Sequence, residues 1–421
     1  MAIPSLNIGG GKWATKQDKL LAYKQNIGGR YFAINGDTSR NSTATFTNQN
    51  GLIDSVGNNV ARVDFQDDVK GSLLLEPQST NLVTQSESFG NSYWTKSGTT
   101  VVGGFASPSL DSPTGAFKLV PNNGLNSSRI RKDIALTSGI TNTFSVYVKS
   151  AEFENASIWI NNPNISEGIY LGYNNDVNTT TGIVNGSDLK YESMQNGWGV
   201  MSITFTPTAT QDFQIVITAK SVSGENVNSI SGNGTSGVYM FGAQLEQLPY
   251  ATSYIPTSGS AVTRVKDVAN SFGDVNTFNS EEGVLFVEMA ALSDDLTVRY
   301  LSLSDGTAVN RIYIRFDNVS NRIIVNMTVA GGGGSTLLTT SYTITDFNKI
   351  AFKYKLNDFA LWINGVEVTT SLSGGVFTPN ILNSFQFDLG NGSHSLYSKV
   401  KQLQVYKEAL TDAELITLTT I

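Results

Sequence analysis

One short pattern, repeated along most of the chain, limits what it can become. Apolar residues recur at alternate positions, and each run then breaks at a turn of Asn, Gly, Ser or Thr. Phe144, Val146 and Val148 alternate with Ser145, Tyr147 and Lys149, the period of a strand with one face buried. Met201-Ile203-Phe205 and Phe213-Ile215-Ile217 repeat it, with Asn174-Asn175-Asp176 and Gly232-Asn233-Gly234 as turns. Composition points the same way. Charged residues make up only 15% against 40% hydrophobic, and 40 residues are glycine, so the filler between apolar runs is turn chemistry. Ser, Thr and Asn also compete for the hydrogen bonds of a helix backbone. An all-β fold is expected, and 421 residues leave room for roughly two to four domains.

The pattern is not uniform. Residues 1–78 read as a mixed N-terminal region. Trp13, Leu20, Leu21 and Lys24 have helical spacing, with Gly28-Gly29 placed to stop such a helix. Residues 79–259 read as a two-sheet sandwich of jelly-roll type. A second strand series, residues 260–421, follows the linker Pro256-Thr257-Ser258-Gly259. Its strands are expected at 284–290, 312–316, 323–327, 350–354, 359–363, 385–389 and 400–406. Asn364-Gly365 between two alternating runs is a hairpin signal, since a type I′ turn needs positive φ at both positions. Thr411-Asp412-Ala413-Glu414 reads as a capping box opening a short helix.

The segment Leu73-Leu74-Leu75-Glu76-Pro77-Gln78 has a counterpart at Leu245-Glu246-Gln247-Leu248-Pro249. Proline cannot donate to a sheet ladder, so each strand must stop or run at an edge there. Both read as boundaries of the middle domain.

Several function classes are excluded or disfavoured. The net charge of −7 and pI near 4.9 argue against nucleic acid, which needs clustered cations. The cluster Arg129-Ile130-Arg131-Lys132 alternates like an ordinary strand with a solvated face. Without cysteine there is no disulfide or thiolate chemistry, which favours a microbial or viral source. Met1 to Asn7 lacks the pattern of a secretory leader, and no apolar run approaches the ~20 residues of a membrane span. Gly9-Gly10-Gly11 is a flexible lead-in and lacks the Lys-Ser/Thr ending of a phosphate loop.

Candidates for chemistry are few. The one histidine, His394, lies in a Gly-Ser loop without an acidic neighbour in sequence, and a solvated role is expected. Paired carboxylates are the remaining enzymatic option, yet Glu281-Glu282, Asp294-Asp295 and Asp388 form no alternating acidic strand. No catalytic residue and no cofactor are assigned. Asp67-Asp68 and Asn174-Asn175-Asp176 with Asn178 are candidates for a structural calcium ion, with loop solvation as the default. Trp159, Tyr170, Tyr173 and Trp198 are candidates for stacking a sugar ring, against the alternative of ordinary core aromatics such as Trp94 and Trp362.

A family resemblance rests on particular stretches. Gly51–Asp54, Asn59–Phe65, Gly71–Leu82 and Ser86–Trp94 resemble a motif series of phage and prophage structural proteins. Phe241–Arg264 is similar to the closing strand and exit of a carbohydrate-binding-module-like jelly roll in phage fibres. Phe359–Val368 and Lys399–Leu415 are similar to the hairpin and ending of a concanavalin A-like, or laminin G-like, sandwich. This implies an N-terminal attachment region, a jelly roll and a concanavalin A-like domain. It also implies a head or tail fibre on the virion surface, joined through residues 1–78 to other virion proteins. Such fibres are commonly homotrimers that adhere to surface polysaccharide, without membrane insertion. A capsid-decorating protein without glycan binding and a polysaccharide depolymerase are the alternatives.

Overall fold

The computed structural model describes residues 2–13, 15–16, 19–25, 31–162, 167–172, 177–179, 185–194, 196–222, 225–226 and 228–421. The chain is all-β, with a single short helix among these residues. It divides into two compact units, each assembled from segments distant in sequence.

One unit comprises Met1–Thr43, Val56–Pro77 and Val265–Ile421. Its larger sheet has 12 strands and its smaller one five, the latter running Gly332–Thr339, Ile323–Val329, Arg311–Phe316, Arg299–Ser304, Ser384–Gln386. Leu285, Val287, Phe352, Leu361 and Leu403 from the larger sheet share one core with Leu301, Ile314 and Val325 from the smaller. This is the sandwich expected of the C-terminal strand series, with the expected strand at 385–389 shortened to Ser384–Gln386.

Residues 1–78, expected to stand apart, are divided: 1–43 and 56–77 belong to this same unit, and 44–55 with Gln78 to the other. Leu6–Gly9 pairs antiparallel with Ser398–Tyr406, Leu6 opposite Val405 and Ile8 opposite Leu403. Ser72–Leu75 pairs with the beginning of that strand, Leu73 opposite Val400. The cause is burial: Leu6, Ile8, Leu73 and Leu75 are alternate apolar residues that enter the common core, each contributing about 1.5–3 kcal/mol. The helix expected around Trp13–Lys24 is instead two strands, Thr15–Lys16 and Lys19–Gln25. Lys19–Gln25 pairs with both Leu6–Gly9 and Tyr31–Ser39, and this ladder overrides a weak local periodicity. Gly28-Gly29, the expected stop, lies outside the described residues.

At Asn364-Gly365 φ is 51° and 83°, and the turn joins Phe359–Ile363 to Val366–Ser371 as expected. The helix Asp412–Thr419 opens with the expected capping box, Thr411 and Glu414 each satisfying the other's backbone N–H.

The other unit comprises Ala44–Ser55 and Gln78–Arg264. Two six-stranded antiparallel sheets enclose its core. Phe144, Val146, Val148 and Ile203 come from one sheet, and Ile158, Ile160, Phe213, Ile215 and Ile217 from the other. The alternation that announced these strands thus sends every second residue inward.

The two Leu-Glu motifs each bury a carboxylate. Glu76 accepts from Arg62 at 2.7 Å. Asp267 binds the same guanidinium and accepts from Arg40 at 2.9 Å. The Asp267 backbone N–H donates to the Glu76 carbonyl at 3.0 Å, and the Glu76 backbone N–H donates to the Asp267 carboxylate at 2.9 Å. Burial alone would lower the Arg62 guanidinium, but the charges of Asp267 and Glu76 outweigh it and hold it above its ordinary value. In the other unit Glu246 accepts from Ser79 at 2.5 Å and from Gln244 at 2.7 Å, and Thr252 donates to it through hydroxyl and backbone N–H.

Candidate functional site

The four tryptophans from Trp94 onward sort by burial. Trp94, Trp198 and Trp362 are 1%, 3% and 4% exposed, whereas Trp159 is half-buried. Trp198 packs with Met194, Phe241 and Tyr254 in an aromatic pocket of its unit. It offers no free ring face, so this candidate is core: its strand-end position left burial open in the sequence, and the aromatic neighbours Phe241 and Tyr254 come from distant positions in the chain. Tyr173 lies outside the described residues.

Trp159 sits on the strand Asn155–Asn162 between Ile158 and Ile160, which enter the core, so its ring is on the outward face. Antiparallel register sets one row across four strands: Arg131 opposite Val216, Val216 opposite Trp159, Trp159 opposite Tyr170. The Arg129 guanidinium carbon lies 5.9 Å from the Trp159 ring centroid, within range of a cation–π contact. Burial, and after it the charge of Arg131, lower Arg129 from the ordinary guanidinium value. Among the described residues neither arginine makes an ion pair, and Nε1 of Trp159 and Nε of both arginines are buried without a protein acceptor. An aromatic face beside donors lacking acceptors is the equipment for a polyhydroxylated ring.

A second outward face was missed in the sequence. In the five-stranded sheet Ile312 and Ile314 face the core, so Arg311, Tyr313 and Arg315 face outward. Tyr300 lies opposite Arg315, and Ser302 and Asn326 lie opposite Tyr313. The Tyr300 and Tyr313 rings meet edge-on at 5.0 Å, and the guanidiniums of Arg311 and Arg315 lie 5.4 and 5.8 Å from the Tyr313 centroid. Arg315 also donates to the Tyr300 hydroxyl and pairs with Asp317 at 3.0 Å. Burial pushes the Tyr313 hydroxyl up from its ordinary value. The available signal was the run Arg-Ile-Tyr-Ile-Arg, whose outward residues are all cationic or aromatic.

Four of the five candidate carboxylates are engaged locally. Glu282 pairs with Lys355 at 3.0 Å and Asp295 with Arg299 at 2.5 Å. Asp294 accepts from Ser320 and Asn321, and Asp388 from the Gly390 backbone at 2.6 Å. Glu281 is exposed. His394 is exposed at positive φ, its ring 5.7 Å from that of Tyr300. Of the calcium candidates, Asp67 and Asp68 pair with Lys399 at 2.5 Å and Lys401 at 3.0 Å. Residues 174–176 lie outside the described residues. Among the described residues no group of three or more acidic or histidine side chains is arranged to hold a metal ion.

No family model and no curated protein matches the chain. Among solved structures, the leech intramolecular trans-sialidase is similar over 34% of this chain and 24% of its own, at 19% identity and a TM-score of 0.28. The chain thus spans about a quarter of that protein. Sheep galectin-11 is similar over 30% of this chain and 85% of its own, at 11% identity and a TM-score of 0.19. Domains LG4-5 of the mouse laminin alpha1 chain are similar over 65% of this chain and 85% of their own, at 10% identity and a TM-score of 0.22.

Proposed function

We propose that this protein is a non-enzymatic adhesin of a bacteriophage virion, a head or tail fibre that holds glycans on the outward faces of its sandwiches. The observation that carries the glycan reading is Trp159. Unlike Trp94, Trp198 and Trp362, which are core, it is half-buried, and it stands beside Arg129 among N–H groups without protein acceptors. A sugar stacks its C–H face on such a ring while its hydroxyls accept from the rim. Single-site affinity of this kind is modest, and many copies on one particle multiply it.

The virion placement is supported by the motifs at Gly51–Leu82 and Phe241–Arg264. Their polar residues build the buried networks around Glu76 and Glu246 described above, which accounts physically for those residue types at those positions. Residues 1–78 are the proposed link to other virion proteins, and a homotrimer is the proposed assembly. Antibody labelling of intact particles under the electron microscope tests the placement; label at neither head nor tail would refute it. Incubation with host polysaccharide tests the absence of hydrolysis. New reducing ends, lost on substituting one carboxylate, would establish the depolymerase instead.

A further inference from the structure

We propose that Asn391 is a site of spontaneous deamidation, which places a new carboxylate in the loop ahead of the strand Ser398–Tyr406. The reaction is independent of glycan binding. In an Asn-Gly pair the glycine backbone nitrogen attacks the asparagine Cγ. A C–N bond closes a succinimide ring, and the side-chain amide leaves as ammonia, carrying off the proton of the glycine N–H. Water then opens the ring at either carbonyl, giving aspartate or isoaspartate. Glycine favours the attack because no Cβ hinders its nitrogen.

The sequence repeats this pair, and the fold decides which copies react. At Asn364-Gly365 both ends of the side chain are held: Oδ1 accepts from Lys349 N–H at 2.9 Å, and Nδ2 donates to Asn348 at 2.9 Å. The attacking Gly365 N–H is engaged too, by the Thr419 hydroxyl at 3.1 Å. Asn233-Gly234 is locked in the same way. Its Oδ1 accepts from the Thr235 and Ser236 N–H groups at 3.0 and 2.8 Å, and Nδ2 donates to Ser236 Oγ at 2.8 Å. Gly234 N–H donates to the Pro121 carbonyl at 3.1 Å. At Asn50-Gly51 the Gly51 N–H donates to the Asn48 carbonyl at 2.9 Å, and at Asn196-Gly197 the departing Nδ2 is anchored on the Gly51 carbonyl at 3.1 Å.

Asn391-Gly392 differs in each respect. Both residues are exposed. Among the described residues neither the attacking Gly392 N–H nor the departing Asn391 Nδ2 has a hydrogen-bond partner. Only the carbonyl is held, Oδ1 accepting from the Ser393 N–H at 3.1 Å and the Ser393 hydroxyl at 2.6 Å. Two donors there draw charge from Cγ and stabilise the oxyanion that forms on attack, while the leaving group stays unrestrained. The space around Gly392 is open, with nothing within 4 Å of where a Cβ would stand.

The test is incubation of the full-length protein in mildly alkaline buffer, with and without urea, followed by proteolysis and mass spectrometry of the peptides bearing Asn391, Asn364 and Asn233. In the folded protein the exchange of amide for acid should run several times faster at Asn391 than at the other two, and urea should remove that difference. Ion-exchange chromatography of the intact protein should show an acidic form that grows with time and is largely lost in Asn391→Gln, whose longer side chain closes a ring far more slowly. An Asn391 that stays intact in the folded protein overturns the proposal. So does conversion of Asn364 or Asn233 at an equal rate without urea, or an acidic form undiminished by N391Q.

Discussion

The guanidinium of Arg129 and the indole of Trp159 stand 5.9 Å apart on the outward face of a sheet whose inward face is core. A half-buried ring there contributes less to folding than a core tryptophan.

Trp159→Ala should therefore destabilise its unit much less than Trp198→Ala, which empties a packed aromatic pocket at about 3–5 kcal/mol. Urea unfolding of both variants measures this. Equal losses would place Trp159 in the core and remove the reason to read it as a platform.

Arg62→Met should be severely destabilising, about 3–5 kcal/mol, because Glu76 and Asp267 would be left buried beside a neutral side chain. Thermal unfolding checks it. A quadruple variant that replaces Arg40, Arg62, Glu76 and Asp267 by apolar residues should recover much of the loss, since two positive and two negative groups would go together.

The Glu246 carboxyl is raised above the ordinary 4.5, with burial the largest cause and hydrogen bonds from Ser79 and Thr252 opposing it. A raised folded-state value means a stability contribution fully present below about 4.5 and lost as pH climbs through the folded value. The wild type's advantage over Glu246→Gln should thus be largest near pH 4 and shrink toward neutrality. Denaturant titrations of both proteins across that range decide it, and an advantage that grows with pH would reverse the sign of the shift.

Gly365→Ala should cost about 1–2 kcal/mol, because φ is 83° and an L side chain is strained there. Asn364→Gly at the preceding turn position should be milder, since glycine tolerates the positive φ that Asn364 already adopts. Melting temperatures of the two variants test the order.

Alternation made the strands legible: Phe144 to Val148 and Phe213 to Ile217 needed no partner to declare their inward faces. Turn and cap chemistry was equally local, at Asn364-Gly365 and Thr411–Glu414. What escaped the sequence depends on segments far apart along the chain. Leu6 and Ile8 gave no sign that they complete a sheet with Val405 and Leu403, about 400 residues away. Glu76 was legible as a boundary residue, yet its buried partners Arg62 and Asp267 lie 14 and 191 positions away. The site divided the same way. Trp159 could be named because its flanking isoleucines fix its face. Trp198 was named wrongly because its burial comes from Met194, Phe241 and Tyr254.

The most direct test is a densely printed glycan array probed with the full-length protein and its Trp159→Ala variant. The account predicts that the wild type binds at least one class of glycan and that the variant loses it. A wild-type protein that binds none, or a variant that binds equally well, would contradict it.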